Sequence, residues 1–291
     1  MRKLLTNIHL LPFQTRALPS SMLALFVLTL SLTAFWNRAQ AATPQTAPPQ
    51  LKNLLTQIDA AANQHNVKAV MQFYGENFTH ADGLSRQSME KALTQLWQRY
   101  PQLKYQTQLQ SWKPEGNAIV AETVTNITGA QSRDRNQVLR ATIKSRQRYE
   151  NKLIVRQEIL SERSQLSAGA KPPTVDIKLP QQVSTGQQYN FDAIVQEPLG
   201  DDYLLGAAIE EPIQAGNNFK AAPVELELLS AGGLFKLGRA PAMANDRWVS
   251  ALVIRGDGMT LVTQRLQVVG QNRPISQEPK AKIRERGARS Q

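Results

Sequence analysis

The chain has no cysteine among its 291 residues. That absence excludes disulfides, a thiol nucleophile and a lipid-modified N-terminal cysteine, and leaves core packing to hold the fold. Histidine is nearly absent as well. Beyond His9 there are only His65 and His80, so the sequence predicts neither a metal cluster nor any other cofactor. Long apolar runs are missing too, apart from Met22–Trp36 near the start. That run is short for a membrane span, which needs roughly 20 apolar residues. It follows Arg2, Lys3 and Arg16 and precedes Asn37-Arg38-Ala39-Gln40-Ala41. A basic lead, an apolar core and a small-x-small site form the pattern of a secretory signal peptide. The expectation is cleavage after Ala41, export to a periplasm or equivalent lumen, and no spanning segment afterwards. The alternative is an uncleaved signal anchor.

The expected divisions are a leader (1–41), a Pro-rich linker (42–50), a first domain (51–165), a second linker (166–173), a second domain (174–270) and a disordered basic tail (271–291). The formal charge of +11 divides unevenly. The first domain carries +6, the second −4 and the tail +4. An anionic partner fits the basic parts.

In the first domain apolar residues recur at helical spacing over Leu51–Gln64, Val67–Tyr74 and Arg86–Tyr100, with Asn66 and Ser85 as N-caps. A short strand, Phe78–Asp82, ends in an Asp82-Gly83 turn. Four alternating strands follow: Lys104–Trp112, Ala118–Thr128, Val138–Tyr149 and Leu153–Glu162. Helices followed by a meander predict an α+β layout with a sheet curled over three helices. In the second domain helical periodicity disappears. Six strands between Val175 and Val269, with a hairpin at Gly256-Asp257-Gly258, predict an all-β sandwich.

Asn63–Phe78 (NQHNVKAVMQFYGENF), His80-Ala81-Asp82-Gly83 and Met89–Tyr100 together resemble the nuclear-transport-factor-2-like, or SnoaL-like, superfamily over about 115 residues. The resemblance implies a cone whose mouth holds a small apolar ligand, and allows a homodimer through the sheet. Leu179–Val195 (LPQQVSTGQQYNFDAIV) looks like the opening strands of bacterial immunoglobulin-like modules. In the ketosteroid isomerase branch of the first family, a carboxylate after the second helix is the general base, and Asp82 falls at that position. The oxyanion-hole tyrosine of that branch is replaced by Ile58, and a base without those donors loses most of its advantage.

His80 and Asp82 are therefore candidates for an acid–base pair, with Asp82-Gly83 as an ordinary turn on the other reading. Tyr74, Trp97, Tyr100 and Tyr105 are candidate pocket walls. Glu122 either points into the cone with a raised pKa or faces water. Arg140, Lys144, Arg146 and Arg148 share one strand face, preceded by Arg133 and Arg135 and followed by Arg156. They would bind an acidic protein or envelope surface, or be balanced by cross-strand Glu158 and Glu162. No aromatics interleave to stack bases, which argues against nucleic acid. The function expected is a non-catalytic exported binding protein. The alternatives are a secreted isomerase or hydrolase using Asp82 and His80, and an envelope assembly factor acting through the basic strand.

Overall fold

The computed structural model describes residues 41–130, 137–198, 200, 202–214, 224–230, 232–256 and 258–270. Residues 1–40 of the expected leader, the basic tail, Arg133 and Arg135 lie outside them.

After a 3-10 turn at Pro44–Thr46, helix α1 (Pro49–Asn63) turns at His65 into α2 (Val67–Met71), capped by the Asn66 side chain. Strand β1 (Tyr74–His80) precedes α3 (Arg86–Arg99), whose Ser85 and Ser88 form a reciprocal capping box. Strands β2 (Lys104–Glu115), β3 (Ala118–Ala130), β4 (Val138–Glu150) and β5 (Leu153–Gly169) make an antiparallel meander. Asn151 and Lys152 both adopt positive φ, as a tight two-residue hairpin requires. The remaining strands are β6 (Val175–Lys178), β7 (Gln182–Ser184), β8 (Gln188–Val195), β9 (Leu204–Pro212), β10 (Glu227–Leu228), β11 (Gly233–Arg239), β12 (Arg247–Arg255) and β13 (Gly258–Val269).

A cone over three helices followed by an independent immunoglobulin-like sandwich is not what these strands build. The described chain is mostly β, and ten strands join one sheet in the order β10-β9-β12-β13-β5-β4-β3-β2, with β1 on β5 and β7 on β13. Strand β5 runs on to Gly169, into the stretch expected as linker, and pairs there with β13 from Gly169↔Gly258 to Arg163↔Gln264. Alternation in the sequence marks a strand but not its partner, so this junction was invisible to it.

The two halves of this sheet bury opposite faces. On one face α1 and α3 cover Ala121, Tyr149 and Ile154, with Leu51, Leu54, Leu55, Trp97 and Leu103 beneath the helices. On the other face the three-stranded sheet β11-β8-β6 covers Val249, Ala251, Val253, Val262 and Leu266, with Phe191 and Ala193 facing them. One continuous row shows the change: Lys104–Thr128–Arg140–Gln165–Val262–Ala251. Paired residues in register share a face. Lys104 and Arg140 on this row are exposed, while Val262 and Ala251 are core.

The open edge of β2 is covered by side chains. The Asn63 amide exchanges two hydrogen bonds with the Tyr105 backbone, each 2.9 Å. Asp59 accepts from the Thr107 backbone N–H at 2.7 Å and hydroxyl at 2.6 Å. The His65 Nε2 meets the Leu103 carbonyl at 2.8 Å, and Ala42 pairs with Trp112. An edge satisfied in this way cannot template another strand.

Candidate functional site

The site is built where β1 leaves β5. The last rung there is the Ala81 N–H to the Gln157 carbonyl, and the Gly83 N–H to the His80 carbonyl then closes a turn. Gly83 has φ 79°, a left-handed conformation that glycine adopts without strain. The turn presents Asp82 toward β13. The Asp82 backbone N–H donates to His80 Nδ1 at 3.1 Å. Nδ1 is thus an acceptor, and the proton of the neutral ring sits on Nε2. Burial pushes the His80 pKa below its ordinary value, outweighing the nearby Asp82 charge. The Asp82 carboxylate lies 3.7 Å from Nδ1, which has no proton to share, so no His80–Asp82 acid–base couple forms in this geometry.

Asp82 instead meets Arg265 of β13. The guanidinium donates Nη2 to Oδ2 at 2.6 Å and Nη1 to Oδ1 at 3.1 Å, the two-pronged geometry that suits Arg and carboxylate. Nη1 also donates to Asp246 at 2.9 Å, and Glu162 lies 3.6 Å from Nη2. The other Asp246 oxygen accepts the Val268 N–H, and Glu162 accepts the Trp248 indole N–H. Burial works against the Arg265 charge, but its carboxylate partners, Asp82 first, hold its pKa above the ordinary value. Glu162 is pushed up, by burial first and by the Asp82 charge as well. Three carboxylates around one guanidinium carry excess negative charge, and protonation of Glu162 relieves it.

A bulge puts Glu162 there. Strand β5 pairs Ile159 with Ser145 and Ser161 with Lys144, which leaves Leu160 as an extra residue. Glu158 stays on the basic face opposite Arg146. Glu162 is turned onto the other face, with Ile143 and Arg265. Strict alternation would have kept both glutamates beside the basic strand. The expected balancing role therefore holds for Glu158 and is corrected for Glu162.

Beside Arg265 a polar cavity of about 440 Å³ opens between the ends of β1 and β13, lined by Asp82, Glu158, Asp246, Arg265 and Gln267 among others. Among the described residues no group of three or more His, Asp and Glu side chains is arranged to hold a metal ion.

The candidate pocket walls lie elsewhere. Trp97 and Tyr100 are buried in the core under α3, and Tyr74 and Tyr105 pack against it. Trp97 donates its indole N–H to the Tyr105 hydroxyl at 2.7 Å, and its ring meets the His65 ring edge-on. Burial pushes the Tyr74 and Tyr105 hydroxyls up to about 12. Glu122 is not among them. It sits on the opposite face of β3, bonded to Arg146 at 2.8 Å and paired with Lys144 at 3.3 Å. Partial burial opposes its charge, yet these cations hold its pKa below the ordinary value, which is the reverse of the raised pKa expected inside a cone. Arg146 also reaches Glu158 at 3.2 Å, and Arg148 pairs with Glu150 and Glu115. Arg140 shares their face but forms no ion pair among the described residues.

Sequence reasoning missed Arg265 and Asp246. A signal for Arg265 was present: it falls in phase with Leu261 and Thr263 on a strand whose other face is core, and an arginine held there needs carboxylates. Nothing local marked Asp246.

Residues 170–269 match a family described as a domain of unknown function (DUF8623). No curated protein matches the chain. Among solved structures it is similar to Bd1075 of Bdellovibrio bacteriovorus, at 15% identity and a TM-score of 0.30 over 38% of each chain. It is also similar to an LEH-like epoxide hydrolase of M. tuberculosis, at 8% identity and a TM-score of 0.28 over 38% of this chain and 80% of that one. The chain thus spans well under half the length of Bd1075. Both neighbours have nuclear-transport-factor-2-like folds, but at these scores neither likeness carries an argument about activity.

Proposed function

We propose that this is an exported, non-catalytic binding protein that meets its partner on its outer surfaces. The leader pattern over residues 1–41 supports export. One observation carries the binding reading: both carboxylate oxygens of Asp82 are taken by Arg265. A general base needs an oxygen aimed at the substrate. Here the carboxylate at the position of a family base is turned to a structural use, fastening the β1–α3 turn to β13. His80, the other candidate, has its Nδ1 occupied by a backbone N–H. The aromatic residues that would wall an apolar ligand site are packed in the core instead, which favours a macromolecular partner over a small apolar ligand.

The test is Asp82→Asn. As a clamp, Asp82 leaves the buried guanidinium less compensated when neutralised, and the variant unfolds about 1–3 kcal/mol more easily in denaturant. An unchanged stability, together with Asp82-dependent turnover of a ketone or epoxide substrate, would restore the isomerase or hydrolase reading.

A further inference from the structure

We propose that the exposed face of β2–β5, opposite the helices, binds a polysaccharide carrying repeated carboxylate or sulfate groups. Cross-strand register carries the inference. Two adjacent rows, Lys104–Thr128–Arg140–Gln165 and Gln106–Asn126–Thr142–Arg163, cross four strands on this face. They contain three cations and no acid. Lys104, Gln106, Thr128, Arg140 and Thr142 are exposed, and none of them belongs to a core cluster of the described residues.

Of the four basic residues first read from the sequence, Arg140, Lys144, Arg146 and Arg148, the last three are engaged by Glu122, Glu158, Glu115 and Glu150. Apart from Arg156 at the far end, the uncompensated charge of this face therefore lies in the two rows at the Lys104–Arg140 end. Among the described residues Lys104, Arg140 and Arg163 form no ion pair.

Strands lie about 4.8 Å apart, so the patch spans roughly 10–15 Å. A polymer with repeated anions can bridge that distance and a small anion cannot. Three features favour a polysaccharide over other polyanions. Amides and hydroxyls lie between the cations and match sugar hydroxyls. No aromatic or large apolar anchor is present on these rows, as a protein interface would have at its centre. These two rows carry no apolar side chain to insert into a bilayer.

This deepens the binding reading by naming a partner class, and its test is separate from the Asp82 stability measurement. The probes are heparin and polygalacturonate, titrated against the full exported protein with its tail at low and high salt. We expect saturable binding that weakens with salt, because exposed charges are screened over about 10 Å at 0.1 M. The triple variant Lys104→Gln/Arg140→Gln/Arg163→Gln should lose at least about tenfold in affinity, equal to about 1.4 kcal/mol. A charge-matched triple away from the face, Lys68→Gln/Lys91→Gln/Lys178→Gln, should lose less than about twofold. Equal losses in both triples would overturn the proposal, since net charge or the tail would then account for the binding. So would failure of both polysaccharides to bind at low salt, or binding to polyglutamate or phosphatidylglycerol vesicles in their place.

Discussion

The β2–β5 half of the sheet buries one face under helices, and the β9–β12–β13 half buries the other under a second, smaller sheet. Arg140 and Val262 stand on the same face of the same row, yet one is exposed and the other is core. Burial is therefore set by which layer lies above a strand, not by which side of the sheet a residue points to. The arrangement leaves the β2–β5 half with a largely polar and basic exposed face, whereas the face of the other half away from the smaller sheet holds the buried Ala207, Ser250 and Arg265. It also needs a joint, because the covering layers do not overlap. The β5–β13 ladder supplies one, and the Asp82–Arg265–Asp246 cluster supplies another at the fork beside it.

The largest perturbation of this comparison is expected from Arg265→Ala. Removing one partner of a buried ionic cluster strands the carboxylates, at about 3–5 kcal/mol. Trp97 and Trp112 lie in the first half and Trp248 in the second, so fluorescence-monitored denaturation should show both halves loosening together. If only the Trp248 signal moved, the cluster would belong to one half and not to the joint. Asn63→Ala should act on the first half alone. It leaves the Tyr105 backbone N–H and carbonyl without their side-chain partner, at about 1–3 kcal/mol, and hydrogen exchange should rise along β2 but not along β13.

A smaller effect concerns pH. The His80 pKa is lowered in the folded protein, so the unfolded chain binds the extra proton first. Stability should therefore fall as pH drops below about 6.5 toward the folded value. His80→Gln should flatten that part of the profile in a series of thermal melts, and a profile identical to wild type would remove His80 from the account. The smallest effect is expected from Arg146→Ala. Its pairs with Glu122 and Glu158 are solvent-exposed and worth below about 1 kcal/mol, so the melting temperature should barely change and the residual difference should vanish at high salt.

Much of the local structure was legible in the sequence. Asn66 and Ser85 cap the helices they precede, and the four meander strands start where alternation begins. Strand β11 was missed because Gly233, Gly238 and its exposed Phe235 and Leu237 obscure the alternation. The site was half legible. Asp82 stood out, but the residue that determines what it does is 183 positions away. Glu122 had two open faces in the sequence, and pairing with Arg146 decided between them.

By itself the sequence determined the helices with their caps, most of the strands, the leader-like start and the uneven charge, because these depend on neighbours a few residues apart. Only the tertiary structure decided that β5 and β13 pair, that the two halves bury opposite faces, and that Glu162 leaves the basic face through one extra residue at Leu160. Strand pairing and burial depend on contacts between residues far apart in the chain, and a period-two pattern is the same whichever strand lies alongside.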